Sequence, residues 1–323
     1  MKKLFLLFAL LVSISFVSCK NSGDNVGGAG GGTGSGPHLP CIMYYTTTDD
    51  QALSFEGVDT LALFGANFIS NICEDGYGVI TFEDDVVSIA QNAFVRNKKL
   101  VTIEIPNTVK SIGDAAFYGC SSLLSVKLSD KLESIGNEAF EKCEKLESVV
   151  IPNSVKTIED DVFTDCTSLK SVTIGNSVKK IGDKVFAGCS ALTNVVIPDA
   201  VESIGIFAFS GCTKMESVKL PAKLKNVSEA MFSSCTSLSD VVIPEGVESI
   251  DGFAFSVCEN LVSITIPKSV KSVGDYAFLG CSNLAEVHIS DKASWDAIAW
   301  GEMANPLELG SAKLYLNGEE VLE

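Results

Sequence analysis

Apolar and polar positions repeat every 23 residues along this chain, from about residue 77 to residue 289. Units such as the one that starts at Leu146 follow the form L-x-x-V-x-I-P-x-x-V-x-x-I-G-x-x-A-F-x-x-C-x-x. Val149 and Ile151 alternate with outward positions, as in a strand, and residues 155–158 predict a second, shorter extended segment. The segment that leads through phenylalanine to cysteine has the spacing of a helical turn. So short a unit cannot bury its own apolar face, and the pattern therefore predicts a solenoid of stacked coils.

Two residue types keep this period without a slip. The phenylalanines are Phe94, Phe117, Phe140, Phe163, Phe186, Phe209, Phe232, Phe255 and Phe278. The cysteines are Cys120, Cys143, Cys166, Cys189, Cys212, Cys235, Cys258 and Cys281. Stacking places equivalent side chains about 4.8 Å apart, so both sets are expected to form ladders inside the coils. The predicted fold is α/β and β-rich, with nine coils of about 23 residues, parallel β ladders, short helical turns and a cap at each end.

Glycines follow the second extended segment in five units. They are Gly113, Gly136, Gly182, Gly205 and Gly274. Because glycine adopts backbone conformations that other residues avoid, these positions are expected to form a sharp corner of the coil.

The cysteines of the ladder are expected to be buried thiols. Ladder side chains run parallel, whereas a disulfide needs its two Cβ atoms turned toward each other. A reduced cysteine packs as a small apolar group, and no second ligand type accompanies these residues to suggest a metal site. Cys41 and Cys73 lie outside the ladder, and a bridge between them in an oxidising compartment stays open as an alternative.

The first residues read as an export signal, with Lys2 and Lys3 before an apolar stretch that is too short for a comfortable membrane span. Residues 1–18 are therefore predicted to be a signal peptide. Phe16-Val17-Ser18-Cys19 resembles a bacterial lipoprotein box, which makes Cys19 the predicted lipidation site and first mature residue. A plain secretory signal is the alternative. Residues 19–40 are rich in glycine and are expected to form a flexible tether between the lipid and the folded part.

The chain is acidic, with a formal net charge of −17. This charge argues against nucleic acid and against anionic lipid headgroups as partners, so the predicted contact with a membrane is the lipid on Cys19. The acidity does not by itself identify a positively charged partner, and the sequence does not predict an oligomeric state.

The repeated I-P, V-x-x-I-G and A-F-x-x-C signatures resemble the BspA-like leucine-rich repeat of bacterial, Bacteroides-type surface lipoproteins. The resemblance covers residues 78–289, and it implies a leucine-rich-repeat solenoid at residues 79–289. The flanking segments look like an N-terminal cap at residues 41–78 and a C-terminal cap at residues 290–323. Relatives are typically surface or secreted proteins, some of them implicated in adhesion to host matrix proteins or to other bacteria. The resemblance thus implies export, a lipid anchor in the outer membrane, a cell-surface location and a protein partner.

One row of outward positions on the first strand is the candidate binding surface. If this strand lines the concave face, the row consists of Glu104, Lys127, Val150, Thr173, Val196, Lys219, Val242, Thr265 and His288. The row is mildly apolar, and the alternative is that it reflects strand propensity on an exposed sheet. The repeat units place no aromatic residue in it, which disfavours a dedicated glycan site. A glycan- or nutrient-capture lipoprotein and a structural envelope protein without a specific ligand remain the alternatives to adhesion.

The sequence does not predict an enzyme, a cofactor or a metal centre. The chain contains two histidines, His38 and His288, and the H-E-x-x-H, G-x-S-x-G and P-loop patterns are absent from it. Acidic doublets such as Asp160-Asp161 occur without the D-x-D-x-D-G spacing of a calcium loop.

Overall fold

A long, mainly parallel sheet runs the length of the folded chain. The computed structural model describes residues 40–55 and 59–321. These residues form a β-solenoid of about ten turns with parallel ladders and little helix, so the predicted fold class is confirmed. Each coil contributes one strand to a 14-stranded sheet, and most coils add a second, two-residue strand to one of three smaller sheets.

The strands are short, as the repeat predicts. They are β1 Cys41–Thr47, β2 Phe68–Glu74, β3 Tyr77–Phe82, β4 Ser88–Ile89, β5 Leu100–Glu104, β6 Ser111–Ile112, β7 Ser125–Lys127, β8 Ser134–Ile135, β9 Ser148–Val150, β10 Thr157–Ile158, β11 Ser171–Thr173, β12 Lys180–Ile181, β13 Asn194–Val196, β14 Ser203–Ile204, β15 Ser217–Lys219, β16 Asn226–Val227, β17 Asp240–Val242, β18 Ser249–Ile250, β19 Ser263–Thr265, β20 Ser272–Val273, β21 Glu286–Ile289, β22 Ala299–Trp300, β23 Lys313–Leu316 and β24 Glu319–Glu320. The described helices are α1 Thr60–Phe64, α2 Lys292–Asp296 and α3 Pro306–Leu309.

The non-repeating segments at both ends continue the long sheet. Its order begins β2-β3-β1-β5, and these four strands pair antiparallel. At the other end β23 pairs parallel with β21, and β24 then pairs antiparallel with β23. The buried Trp295 of α2 packs edge-to-face against Trp300, with ring centroids 4.9 Å apart. Trp295 therefore joins the core under the last coil.

The phenylalanine ladder occupies the centre of the solenoid. Neighbouring rings from Phe94 to Phe278 stack nearly parallel, and each is at most 2% exposed. Their centroid distances range from 4.9 Å for Phe94–Phe117 to 5.7 Å for Phe163–Phe186. Because each inner ring of the ladder is sandwiched between two equivalent rings, apolar surface that a single coil would leave exposed is removed from water.

The cysteine ladder consists of thiols, as predicted. Each thiol donates a hydrogen bond to the carbonyl of the phenylalanine one coil back, for example Cys166 Sγ to Phe140 O at 3.2 Å. The alternative bridge between Cys41 and Cys73 is not formed. Cys41 is paired with Phe82 at one end of β3, whereas Cys73 is paired with Gly78 near the other end and from the opposite side. That places the two thiols roughly four residues and two strands apart, far beyond the reach of a disulfide.

The turn before each cysteine has helical spacing but contains two left-handed residues. In the third coil these are Glu138 (φ 57°) and Lys142 (φ 58°), and equivalent pairs recur in all nine phenylalanine-bearing coils. Successive backbone amides alternate between two hydrogen-bond acceptors. One is the carbonyl three residues earlier, as in Cys143 N to Phe140 O at 3.2 Å, and the other is a carbonyl of the next coil, as in Phe140 N to Val162 O at 2.9 Å. The left-handed residues turn every second amide toward the neighbouring coil, so the segment joins the coils together and does not continue as a helix.

The corner glycines are present for a different reason from the one predicted. None of the five has a positive φ. A Cβ at Gly205 would instead lie 2.5 Å from the amide nitrogen of Asp183 in the previous coil. Glycine therefore allows close approach of successive coils. Glu159, Ser228 and Asp251 stand at the equivalent position of other coils, so glycine is not required at every corner.

Ionisation of the ladder thiols is expected to make stability depend on pH. Burial raises their pKa, to about 12 at Cys120, Cys235 and Cys281. Unfolded thiols ionise at about pH 8.5. Since the folded pKa is the higher one, the stabilisation is complete below the unfolded pKa and is lost as pH rises through the folded pKa. The free energy of unfolding in urea should therefore decline above about pH 8.5. The Cys143→Ala/Cys166→Ala variant should show a shallower decline, and an identical slope would contradict this assignment.

The close approach at the corner also predicts a specific sensitivity to substitution. Gly205→Ala should lower the free energy of unfolding by about 1–3 kcal/mol, because the added methyl group forces two coils apart. Gly310→Ala is the matched control, since a Cβ at that position meets no atom within 4 Å. Denaturant unfolding of both variants measures the difference, and equal stability of the two would refute the close-approach explanation.

Candidate functional site

The outer face of the 14-stranded sheet carries the row predicted from the sequence. On the three-residue strands the middle side chain is buried, and the first and third point outward. Val150, Val196 and Val242 occupy third positions and are 62%, 71% and 58% exposed. Such exposure is high for a β-branched apolar residue, so these valines add little to the core.

Strand pairing places all nine candidate residues in this row. The register joins Glu104 to Lys127, Val150 to Thr173 and Val196, Val196 to Lys219, and Val242 to Thr265 and His288. At two steps the pairing is reduced to one residue pair, Ser125–Ser148 between β7 and β9 and Ser217–Asp240 between β15 and β17. Both steps fall just after a lysine of the row, Lys127 and Lys219.

Several charges of the row have partners within the protein. Lys127 forms an ion pair with Glu104, and Lys219 lies 3.6 Å from the carboxylate of Asp199. His288 Nε2 lies 2.9 Å from Glu286 Oε2. Exposed pairs of this kind contribute at most about 1 kcal/mol each. The stretch from Val150 to Val196 carries no charge, so the centre of the row is its most apolar part.

Tyrosines extend the row at both ends, a feature that sequence reasoning missed. Tyr44 on β1 pairs with Glu104 and is 39% exposed, and Tyr315 on β23 pairs with His288. The rings of His288 and Tyr315 stack with centroids 5.1 Å apart. Beyond Tyr44 the same outer face continues through Val79 to Ile72, which is 55% exposed. The alternation of buried and outward residues in β1 was the available signal, but it did not reveal which strand β1 would join.

A shallow groove of ≈ 630 Å³ lies over the early part of the row. Lys127, Val150 and Thr173 belong to its floor, and the loops that follow the strands contribute Asp130 and Asn153. The groove therefore combines an apolar strip with polar groups along one side. This combination suits an extended polypeptide, whose backbone needs hydrogen-bonding groups and whose side chains need apolar contacts.

A second cavity of ≈ 420 Å³ lies at the corner of the coils and is lined by acidic and amide side chains. Its carboxylates have structural roles. Asp114 Oδ1 accepts a hydrogen bond from Asn137 N at 2.8 Å, and Asp160 Oδ1 accepts a hydrogen bond from Asp183 N at 2.8 Å. Within residues 40–55 and 59–321, no group of three or more potential ligands is arranged to hold a metal ion.

The outward valines are expected to be dispensable for folding. The triple variant Val150→Thr/Val196→Thr/Val242→Thr should change the free energy of unfolding by no more than about 0.5 kcal/mol per site, because threonine favours strands equally well. Val195→Thr on β13, whose side chain is 4% exposed, should cost about 1–3 kcal/mol by burying a hydroxyl. Denaturant unfolding distinguishes the two, and a large loss in the triple variant would assign the row a structural role.

Similar chains occur among the solved structures of bacterial proteins. A leucine-rich repeat protein from Bacteroides ovatus ATCC 8483 is 26% identical, with a TM-score of 0.59, over 77% of this chain and 69% of that chain. A leucine-rich repeat protein of T. pallidum is 28% identical, with a TM-score of 0.44, over 61% and 82%. A leucine-rich cell surface protein from Faecalibacterium prausnitzii A2-165 is 24% identical, with a TM-score of 0.34, over 72% and 89%. No curated protein matches this sequence.

In residues 40–55 and 59–321, none of the helices has the length and apolarity to cross a bilayer. The model of the BspA type leucine-rich repeat region matches residues 76–193 and 179–296, with six copies of the repeat. These ranges cover most of the chain and coincide with the stacked coils that carry the phenylalanine and cysteine ladders. The chain therefore belongs to the BspA-type leucine-rich-repeat family.

Proposed function

We propose that this chain is a cell-envelope protein that binds other proteins through the outer face of its 14-stranded sheet. The observation that carries the proposal is the run of outward valines at 58–71% exposure along one row. An exposed apolar strip costs free energy in water, and protein–protein interfaces are a common use for such a strip. The groove over Val150 gives the strip a defined place for an extended segment of a partner.

Adhesion to host matrix proteins or to other bacterial cells is the form of binding that we propose. An adhesin must be exported and held at the cell surface, and the leader sequence and the lipoprotein box support this location. We therefore propose that lipid on Cys19 anchors the chain to the outer membrane and that residues 19–40 tether the folded part. Cys19 lies outside the residues that the structure describes.

Capture of a glycan is the second candidate function, because the structure places aromatic rings at both ends of the row. Tyr44 is exposed at one end, and the stacked His288 and Tyr315 stand at the other. Aromatic rings are common contacts for sugars and for peptides alike. In the middle of the row the valines offer no ring, so protein binding remains the leading proposal.

The test is a pull-down with the purified chain against host matrix proteins and bacterial surface extracts. The variant Val150→Asp/Val196→Asp/Val242→Asp should lose any captured partner, because three charges interrupt the apolar strip. Thr167→Asp/Thr213→Asp/Ser282→Asp adds the same charge at exposed positions of the loops after the cysteines and should retain the partner. Equal capture by both variants would reject the sheet face as the binding surface. A signal on a glycan array that Tyr44→Ala or Tyr315→Ala abolishes would favour the second candidate.

A further inference from the structure

A second exposed apolar surface lies on the turns, away from the sheet face. In every phenylalanine-bearing coil the residue two positions before the ladder phenylalanine is left-handed. These residues are Asn92, Ala115, Glu138, Asp161, Lys184, Phe207, Ala230, Phe253 and Tyr276. The first five are small, polar or charged, whereas three of the last four are aromatic. The change in chemistry occurs between two neighbouring coils of otherwise equal geometry.

Aromatic side chains at these positions are unfavourable for the fold. Phe207 has φ 56° and Phe253 has φ 57°, in a region that bulky residues avoid because Cβ crowds the following carbonyl. Val257 in the same coil as Phe253 also has a positive φ, of 59°. Phe253 and Val257 are 40% and 39% exposed, so burial does not compensate fully for the strained backbone. Exposed, strained apolar residues of this kind suggest a role in binding.

The side chains belong to four successive coils, and two of them are in direct contact. Phe253 stacks on Tyr276, with ring centroids 5.2 Å apart and planes within 25° of parallel. Ala230, which lies between Phe207 and Phe253 in coil order, is only 2% exposed, so a buried residue separates Phe207 from the Phe253–Tyr276 pair. Ile206, which precedes Phe207, is 38% exposed and widens one end. We call Ile206, Phe207, Phe253, Val257 and Tyr276 the aromatic turn strip.

The surroundings of the aromatic turn strip are acidic. Asp251 stands two residues before Phe253, and Glu259 stands two residues after Val257. Glu229 is exposed next to Ala230, and Asp275 is exposed next to Tyr276. The Tyr276 hydroxyl is hydrogen-bonded to the carboxylate of Glu302, and this bond raises the pKa of Tyr276. Lys184 is the nearest cation on the same row, and it lies one coil beyond Phe207.

Aromatic rings beside carboxylates favour a partner that brings positive charge together with apolar contact. A guanidinium group is planar, stacks on aromatic faces and forms bidentate hydrogen bonds with carboxylates. A lysine ammonium meets the charge requirement but stacks less well on a ring. We propose that the aromatic turn strip is a docking surface for an arginine-bearing, basic segment of a partner protein. It is separate from the sheet face, so one molecule has two surfaces for two partners.

The test measures binding of a short fluorescein-labelled peptide, in which arginine alternates with leucine, to the purified chain by fluorescence anisotropy. Binding should weaken as salt increases, because exposed charges are screened. A peptide with glutamate in place of arginine should not bind. Phe207→Asn/Phe253→Asn should weaken binding of the arginine peptide by at least about tenfold, since the ring contacts are lost.

With Phe207→Asn/Phe253→Asn, a loss of binding can be distinguished from a loss of folding. Asparagine tolerates the left-handed conformation, and Asn92 already occupies the same position in the first coil. The thermal midpoint of Phe207→Asn/Phe253→Asn should therefore equal or exceed that of the unchanged chain. Val196→Thr/Val242→Thr on the sheet face is the matched control and should bind the arginine peptide normally. Absence of arginine-peptide binding, equal binding of the glutamate peptide, or equal losses in the two double variants would each overturn the proposal.

Discussion

The fixed distance between successive coils is the constraint on which the rest of the structure depends. Parallel strands pair at about 4.8 Å, so every side chain of one coil meets its equivalent in the next at nearly that distance. Flat rings fit such spacing, and the phenylalanines stack at 4.9–5.7 Å. A thiol is small enough to reach the carbonyl of the previous coil while it remains buried. The corner position favours glycine because a Cβ there would approach the backbone of the neighbouring coil.

The same constraint explains how charge and polarity are distributed. The carboxylates of Asp114 and Asp160 accept hydrogen bonds from backbone amides of the next coil. They therefore stabilise the stacking of coils and do not indicate a metal site. Immediately before the second strands, Lys110 lies 3.3 Å from Glu133, and Lys271 lies 2.7 Å from Glu248. Opposite charges on adjacent coils favour the correct register, although each exposed pair contributes little stability.

On two faces of the solenoid the distance between coils restricts the side chains less, because side chains that point to water do not have to pack in the core. On the sheet face the tolerated residues include the outward valines, and on the turn face they include Phe207 and Phe253. Neither set contributes much to the core, and the turn residues also occupy an unfavourable backbone conformation. Both proposed binding surfaces therefore consist of side chains that contribute little to the stability of the fold. The two faces differ in chemistry, since the valine row is largely uncharged and the aromatic turn strip is bordered by carboxylates.

The repeated positions were determined by the sequence alone. A period of 23 residues identified the solenoid, the phenylalanine and cysteine ladders and the outward row from Glu104 to His288, because stacking converts equal spacing into direct contact. Other features arise from how the coils approach one another. The left-handed turns and the reason for Gly205 depend on backbone distances between coils. The continuation of the row to Tyr44 and Tyr315 depends on strand pairings outside the repeat. Tyr44 joins the row because β1 enters the sheet antiparallel between β3 and β5, a choice made by the packing of the whole chain.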